Sequence, residues 1–266
     1  MTYETIRVAV DGKGVATLTL ARPEKHNALS GTMISELTTV ARLLGADAAV
    51  RVVVLSAEGA SFCAGGDLGW MKAQIEADRA ARMKEAKRLA LMFKALNDLE
   101  KPVIARVQGN SFGGGVGLLC VADVAVAADI AKFGLTETRL GLIPATISPY
   151  VVARIGEGQT RPLFMSGRIF DAETARVAGL LTRVVPSGDL DAAVEAEIEP
   201  YLQVAPGAAG QSKALARSLG MPITDDVIEA TIERLADVWE TDEAREGISA
   251  FLEKRDPWWR KPAQPL

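Results

Sequence analysis

The chain has 266 residues, a formal net charge of −4 and 48% apolar residues. This length and composition suit one large α/β domain with a sizeable core, and mild acidity without a basic cluster argues against a nucleic-acid partner. The apolar segments are short and interrupted, and no secretory leader is visible at the start. The two cysteines do not have the pattern of a disulfide framework. We therefore predict a reduced, cytoplasmic protein that does not enter a membrane.

The first part of the chain alternates between strand-like and helix-like patterns. Residues 6–10 and 15–20 alternate around a turn with two glycines, which predicts a hairpin. Apolar residues at helical spacing predict a helix over 29–44. The β-branched run at 50–56 predicts a buried strand. A long region with helical periodicity, with room for one break, covers 71–99.

The middle of the chain continues this alternation. A strand is predicted at 103–107, and the glycine-rich segment 109–117 leads into an apolar helix of small residues. Further strands are predicted at 123–128 and 181–185. Strands that alternate with helices predict sheets built mainly from parallel pairs, with helices packed on them.

The last part of the chain, from residue 189 to about 255, has a helical pattern throughout. Thr224 and Thr241 are predicted to cap two of its helices. Its apolar stripes are typical of a core-facing surface, and a terminal helical layer can also cover a neighbouring subunit. No linker separates this part from the rest, and no clear internal repeat is visible.

Two glycine-rich loops follow strands and are candidates for binding an oxygen atom. One contains Gly65 and Gly66, and the other contains Gly113, Gly114 and Gly115. Helix N-termini leave backbone N–H groups unpaired, and glycine lets a ligand approach them closely. Facing each other, the loops would form an oxyanion hole for a carbonyl group. The alternatives are two tight turns, or a nucleotide phosphate loop whose usual patterns the second loop does not match.

One carboxylate stands in an apolar, glycine-punctuated segment and is the candidate acid/base residue. Desolvation of Glu137 would raise its pKa towards the range useful for proton transfer. The alternative interpretation is that Glu137 pairs with Arg139 or faces solvent. His26 is the single histidine; it excludes a multi-histidine metal site, and its turn-like context favours a surface position over a catalytic one. We predict no metal site.

These segments together resemble the crotonase (enoyl-CoA hydratase/isomerase) superfamily, and the resemblance covers most of the chain. The segments that carry it are, in order, Arg22-Pro23-Glu24-Lys25-His26-Asn27-Ala28-Leu29, Phe62-Cys63-Ala64-Gly65-Gly66-Asp67-Leu68, Lys101-Pro102-Val103-Ile104-Ala105, Gly109-Asn110, Gly113-Gly114-Gly115, Ala131-Lys132-Phe133-Gly134, Glu137 and Gly141-Leu142-Ile143-Pro144. The resemblance implies an α/β fold: a crotonase-like spiral of ββα units over residues 1–200, followed by a helical trimerisation region over 201–266.

The resemblance also implies a site for an acyl-CoA thioester. The amides of Gly66 and Gly114 would bind the thioester oxygen, and Glu137 would move the proton. The implied contacts with coenzyme A are Lys25, Ala28, Ala64, Asp67, Leu68, Phe251 and Lys254. No cofactor is implied, because coenzyme A is part of the substrate. The implied assembly is a homotrimer or a hexamer made of two trimers, without nucleic acid or membrane as partners.

The chain departs from the family pattern at one position. Family hydratases usually carry a second glutamate in the helix after the triple glycine, where this chain has Gly117. Either Glu137 alone shuttles the proton, or another group holds the water. The alternatives are a Δ3,Δ2-enoyl-CoA isomerase, which needs one base, and a non-catalytic acyl-CoA-binding protein. We expect a Gly117→Glu substitution to be tolerated or to raise hydration.

A finer resemblance favours hydration of a branched substrate. The segments 115–118 and 133–150 are similar to bacterial methylglutaconyl-CoA hydratases and isohexenylglutaconyl-CoA hydratases. Such substrates carry a second carboxylate, for which Arg139 or Arg154 is a candidate, although surface pairing is the more usual role of an arginine. Ser148 and Tyr150 are candidates for holding water or substrate.

Overall fold

The computed structural model of the chain describes residues 2–260. Strands and helices follow one another in this described part in the order β1 (Ile6–Val10), β2 (Val15–Leu20), α1 (Gly31–Ala46), β3 (Val52–Ala57), β4 (Ser61–Cys63), α2 (Leu68–Glu76), α3 (Arg79–Asn97), β5 (Val103–Val107), β6 (Asn110–Phe112), α4 (Gly114–Cys120), β7 (Val124–Ala128), β8 (Lys132–Gly134), α5 (Ser148–Ser166), β9 (Ile169–Asp171), α6 (Ala172–Val177), β10 (Arg183–Val185), α7 (Leu190–Leu202), α8 (Pro206–Ser218), α9 (Asp225–Trp239) and α10 (Asp242–Glu253).

The strands form two sheets. The larger sheet has the order β1-β2-β3-β5-β7-β10, and the smaller one has the order β4-β6-β8-β9. The β1–β2 hairpin and the β8–β9 pair are antiparallel, and the other pairs are parallel. In each of the consecutive strand pairs β3–β4, β5–β6 and β7–β8, the first strand belongs to the larger sheet and the second to the smaller one. This repeated ββα arrangement is the predicted α/β spiral.

The continuous apolar run of β3 is explained by helices on both faces of the larger sheet. Val52 and Val54 belong to the cluster under α7. Val53 and Leu55 belong to the main core, which α1 and α3 also enter. A strand buried on both sides has no solvent-facing positions, so its sequence does not alternate.

Side-chain caps set several helix starts. The Ser30 hydroxyl accepts a hydrogen bond from the Met33 N–H and starts α1 two residues after the predicted position. Asp78 caps α3 and separates it from α2, which is the single break that the pattern allowed. Thr224 and Thr241 cap α9 and α10, as predicted. Each such cap satisfies an N–H group that the helix itself leaves unpaired.

The C-terminal helices pack back on the rest of the chain. A small apolar cluster joins α9 to α3, and a second one joins α10 to the segment that carries Glu137. The predicted domain boundary at residue 200 falls inside α7, and residues 261–266 of the predicted oligomerisation region lie outside the described part. Between residues 2 and 260, no helix is both long and apolar enough to cross a membrane.

Candidate active site

A cavity of about 990 Å³ lies where loops of the smaller sheet meet α2, α3 and the C-terminal helices. The predicted site residues that line it are Glu137, Gly66, Gly114, Lys25, Ala28, Ala64, Asp67, Leu68 and Phe251. Lys254 does not line the cavity; it ends α10 with a left-handed backbone (φ 55°). The structure instead brings Arg255 and Arg260 to the cavity.

The first glycine loop is tied to the segment before α1. The Leu29 N–H donates to the Gly65 carbonyl at 2.7 Å, and the Asp67 N–H donates to the Leu29 carbonyl at 3.1 Å. The Gly66 N–H, which lies between these two bonds, donates to no other group in residues 2–260. Gly66 is exposed and lines the cavity, so this amide is available to an oxygen atom there.

Asp67 holds this loop in shape. Its carboxylate accepts hydrogen bonds from the Gly69 and Trp70 N–H groups and caps α2. It also forms an ion pair with Arg22 at 3.0 Å, and both side chains are mostly buried. Burial by itself would raise the pKa of Asp67, but the Trp70 N–H and the Arg22 guanidinium outweigh it and lower that pKa. The carboxylate is therefore engaged inside the loop that presents the Gly66 amide.

The second glycine loop lies directly against the first. Gly114 is the first residue of α4, so its N–H has no partner inside the helix. A Cβ atom placed on Gly65 would be 3.8 Å from the Gly114 nitrogen. Gly113 has φ +48°, a backbone conformation that favours glycine. The two loops are thus side by side, and each contributes one amide without a helix or sheet partner.

Glu137 begins a 3₁₀ turn, Glu137–Leu140, beside these loops. Its Oε1 atom is 2.9 Å from where a Cβ on Gly113 would lie, so a side chain there would displace the carboxylate. Its Oε2 atom is buried without a hydrogen-bond partner among the described residues. Burial raises the pKa of Glu137 to about 7. The structure shows neither the alternative pairing with Arg139 nor a solvent-facing carboxylate.

Helix α10 supports the turn that carries Glu137 through two close backbone contacts. Gly141 ends the turn with φ +68°, and a Cβ there would collide with the Glu243 carbonyl. A Cβ on Gly247 would collide with the carbonyl group of Leu140. Because both contacts are with backbone atoms, neither collision can be relieved by a side-chain rotation. The position of α10 therefore determines the position of the turn that carries Glu137.

Known proteins match this chain over nearly its whole length. The family model described as "Enoyl-CoA hydratase/isomerase" matches residues 11–262. The 2,3-dehydroadipyl-CoA hydratase of Escherichia coli is 32% identical over an aligned length of 251 residues, and the alignment covers 91% of this chain and 94% of that protein. The crystal structure of an enoyl-CoA hydratase from Shewanella pealeana has a TM-score of 0.79 at 36% identity and covers 96% of both chains. For an enoyl-CoA hydratase from Mycobacterium avium the TM-score is 0.83 at 34% identity, with 97% of this chain and 100% of that chain covered.

The chain belongs to the enoyl-CoA hydratase/isomerase family. It is an enzyme of that family, and its spiral fold and acyl-CoA substrate class follow from this membership. The interpretation as a non-catalytic acyl-CoA binder is therefore set aside.

The position where family hydratases are expected to carry a second glutamate is closed in this enzyme. A Cβ on Gly117 would lie 2.6 Å from Ile147 Cγ2 and 2.9 Å from Phe93 Cε1. Both are parts of large side chains in the main core. Apolar packing therefore occupies this space, and the expectation that a glutamate fits here without rearrangement does not agree with the structure.

Three further candidate residues have structural roles. Arg154 donates to the backbone carbonyls of Ala122, Asp123, Gly179 and Leu180, and it does not line the cavity. Ser148 donates its hydroxyl to the Ala145 carbonyl. Tyr150 donates to the Ala90 carbonyl and packs against Phe93. These residues hold α5 in place and are wrong as candidates for holding water or substrate. His26 is exposed in a turn, beside the Ser61 hydroxyl.

The sequence interpretation did not find the apolar wall of the cavity. This wall comes from α2, α3 and α9, which are distant in the sequence, and consists of Trp70, Met71, Ala86, Leu89, Leu235 and Trp239. Helical stripes predicted that such residues are buried, but not which partner they meet. Since the wall is apolar, family substrates with hydrocarbon acyl groups suit this side of the cavity.

Proposed function

We propose that this enzyme adds water to the double bond of an α,β-unsaturated CoA thioester. The observation that carries the proposal is the buried, unpaired carboxylate of Glu137 next to two loops with free amides. The thioester oxygen accepts hydrogen bonds from the Gly66 and Gly114 N–H groups. Each such donor contributes roughly 3–4 kcal/mol when negative charge develops on the oxygen.

The reaction needs one proton to leave the water and one to reach the substrate. Glu137 takes a proton from the water while the water oxygen forms a bond to the β-carbon. The π electrons of the double bond move towards the thioester oxygen, which gives an enolate. The protonated Glu137 then gives the proton to the α-carbon. A pKa of about 7 suits both steps, because the carboxylate can accept and release a proton at neutral pH. The scheme uses no metal or resident cofactor.

We further propose that the acyl group is branched and carries a second carboxylate, as methylglutaconyl-CoA does. Arg139 lines the cavity, is exposed, and pairs with no carboxylate in the described part of the chain. The Escherichia coli relative, named as a 2,3-dehydroadipyl-CoA hydratase, supports an acyl group of this dicarboxylic type. Arginine suits this role because its planar guanidinium group can donate two parallel hydrogen bonds to one carboxylate.

A Δ3,Δ2-enoyl-CoA isomerase is the second candidate, and the closed position at Gly117 favours it. A 1,3-proton transfer needs one base and no water, and Glu137 is the one unpaired buried carboxylate found among residues 2–260. The two activities share the amide pair and Glu137, and differ in whether a water molecule is held near the β-carbon.

An absorbance assay over a panel of CoA thioesters tests the proposal. Hydration of an enoyl-CoA removes the absorbance of the conjugated thioester, whereas isomerisation of a 3-enoyl-CoA creates it. We expect loss of absorbance, fastest with 3-methylglutaconyl-CoA. Absorbance that appears with 3-enoyl-CoA and never disappears with 2-enoyl-CoA would establish the isomerase instead.

The variant Arg139→Gln tests the dicarboxylic substrate. We expect KM for 3-methylglutaconyl-CoA to rise about tenfold while KM for crotonyl-CoA, which lacks the second carboxylate, stays within twofold. Equal changes for both substrates would contradict a role for Arg139 in selecting the acyl group.

We also propose that the enzyme assembles as a homotrimer, or as a hexamer of two trimers. Support comes from exposed apolar side chains on α8 and just after it, at Leu215, Leu219 and Met221; such surfaces often mark interfaces. Light scattering after size-exclusion chromatography should give three or six times the mass of the chain. A monomer would refute the assembly.

A further inference from the structure

In hydration with a single carboxylate, the attacking water molecule lacks a second hydrogen-bonding partner. Glu137 can accept one of its hydrogen bonds, but the place of the second glutamate is closed by Phe93 and Ile147. A water molecule that attacks a defined carbon has to be held by more than one group. If the proposed hydratase function holds, another polar group must face the cavity near this closed position.

Thr146 has the required properties. It lines the cavity and is only 8% exposed. Of the polar side chains buried to this extent in residues 2–260, it is the one that lines the cavity. Its hydroxyl forms no hydrogen bond with any described residue. Thr146 directly precedes Ile147, whose Cγ2 meets the space at Gly117, and it lines the same cavity as Glu137.

The backbone around Thr146 is fixed. The Ser148 N–H and the Ser148 hydroxyl both donate to the Ala145 carbonyl, at 3.1 Å and 2.7 Å. The Ala145 N–H donates to the Ile143 carbonyl. The backbone position from which the Thr146 side chain starts is therefore constant, which favours the orientation of a small nucleophile.

The other polar side chains around the cavity are less suited to this task. Arg22 and Asp67 are paired with each other, and Arg255 is paired with Glu246 and Glu253. Lys25, His26 and Arg139 are exposed. These side chains are therefore paired or exposed, and Thr136, which also lines the cavity, is half-buried, whereas Thr146 is buried and pairs with no described residue.

We propose that the Thr146 hydroxyl holds the attacking water together with Glu137, and that Thr146 is thereby a catalytic residue for hydration but not for proton transfer at the α-carbon. The hydroxyl gains and loses no bond: it accepts or donates one hydrogen bond to the water, whose proton goes to Glu137 and whose oxygen bonds to the β-carbon.

Two variants of matched shape test this proposal. Thr146→Val keeps the branched shape and removes the hydroxyl, and Thr146→Ser keeps the hydroxyl. We expect Thr146→Val to lower kcat for hydration about tenfold or more with KM within twofold, and Thr146→Ser to retain activity within threefold. Thr146→Val should unfold at a temperature no lower than the unchanged enzyme, because it loses no protein hydrogen bond.

A second reaction separates water binding from the work of Glu137. In D₂O, exchange of the α-hydrogen of butyryl-CoA, followed by mass spectrometry, needs Glu137 and the amide pair but no attacking water. We expect Thr146→Val to leave this exchange within twofold. Unchanged hydration in Thr146→Val, or exchange that falls in parallel with hydration, would overturn the role of Thr146. An unchanged enzyme that hydrates none of the thioesters would overturn the proposed function itself.

Discussion

Positions 117 and 137 are the two places where a two-carboxylate hydratase would carry its glutamates, and this enzyme treats them in opposite ways. At 137 a carboxylate is buried without a partner, which costs stability and raises its pKa. At 117 there is no side chain, and Phe93 and Ile147 occupy the space. The enzyme thus buries one unpaired carboxylate, at the position proposed for proton transfer, and fills the second position with apolar side chains.

Removing the carboxylate at 137 should have the largest effect. In Glu137→Gln the amide cannot take up a proton, so we expect kcat to fall by about 10²–10⁴-fold, the range for loss of a general base. Binding of a CoA thioester, measured by calorimetry, should change little. Glu157→Gln, at an exposed position on α5, is the matched control and should keep full activity. Normal kcat in Glu137→Gln would refute its assignment.

Adding a carboxylate at 117 should damage the protein instead of improving it. The Cβ of Gly117→Glu meets Ile147 and Phe93, and its charge would have no partner, so we expect the free energy of unfolding to drop by about 3 kcal/mol. Urea titration measures this. Ile147→Ala makes room for the new side chain. In that background, Gly117→Glu should lower the free energy of unfolding by less than it does in the unchanged enzyme. A single variant that is as stable as the unchanged enzyme and faster at hydration would show that the position is open.

Moving the turn that carries Glu137 should have a smaller effect than removing its carboxylate. In Gly247→Ala the new methyl group pushes against the Leu140 carbonyl, and we expect kcat/KM to fall roughly tenfold, since small misplacements of a catalytic group are costly. Gly45→Ala is the control: it is also a helical glycine, and a Cβ there touches nothing within 4 Å. That control should be neutral or slightly stabilising. Equal activity of the two variants would exclude a positioning role for α10.

Close to neutral pH, the pH dependence should change the rate less than these substitutions do, and it sharpens the comparison. Glu137 must be ionised to accept a proton from water, so kcat/KM should rise with pH and level off above its pKa of about 7. Below that value the rate should fall about tenfold per pH unit. The residual rate of Glu137→Gln should not follow this curve. A rate limb with a midpoint near the ordinary pKa of glutamate would mean that the carboxylate is solvated during catalysis.

Much of the larger sheet is predictable from sequence because its strands are long enough to show a pattern. The hairpin and the strand at Val103–Val107 have the predicted bounds. The strands of the smaller sheet were not predicted, since three residues, such as Ser61–Cys63, are too few to show alternation. Helix α5 was also missed. It contains Gly156, with φ +72°, and Pro162, which are typical of turns and loops.

The candidate site divides in a similar way. The glycine loops and Glu137 are local signals, and each stands out in its own segment. Thr146 gave no such signal, because an isolated threonine is common, and only its burial, its lack of a partner and its place in the cavity lining together single it out. The closure of position 117 depends on Phe93, which reaches it from α3. Contacts between distant segments cannot be inferred from one sequence.

The contact between Gly247 and Leu140 ties catalysis to the order in which the chain is made. The sheets and both glycine loops are complete well before α10 leaves the ribosome, yet the turn under Glu137 lacks its backing until α10 docks. A nascent or prematurely terminated chain that ends before Asp242 would therefore lack both the support of this turn and the cavity residue Phe251. We therefore expect no activity from a chain whose last helix has not yet been made and docked.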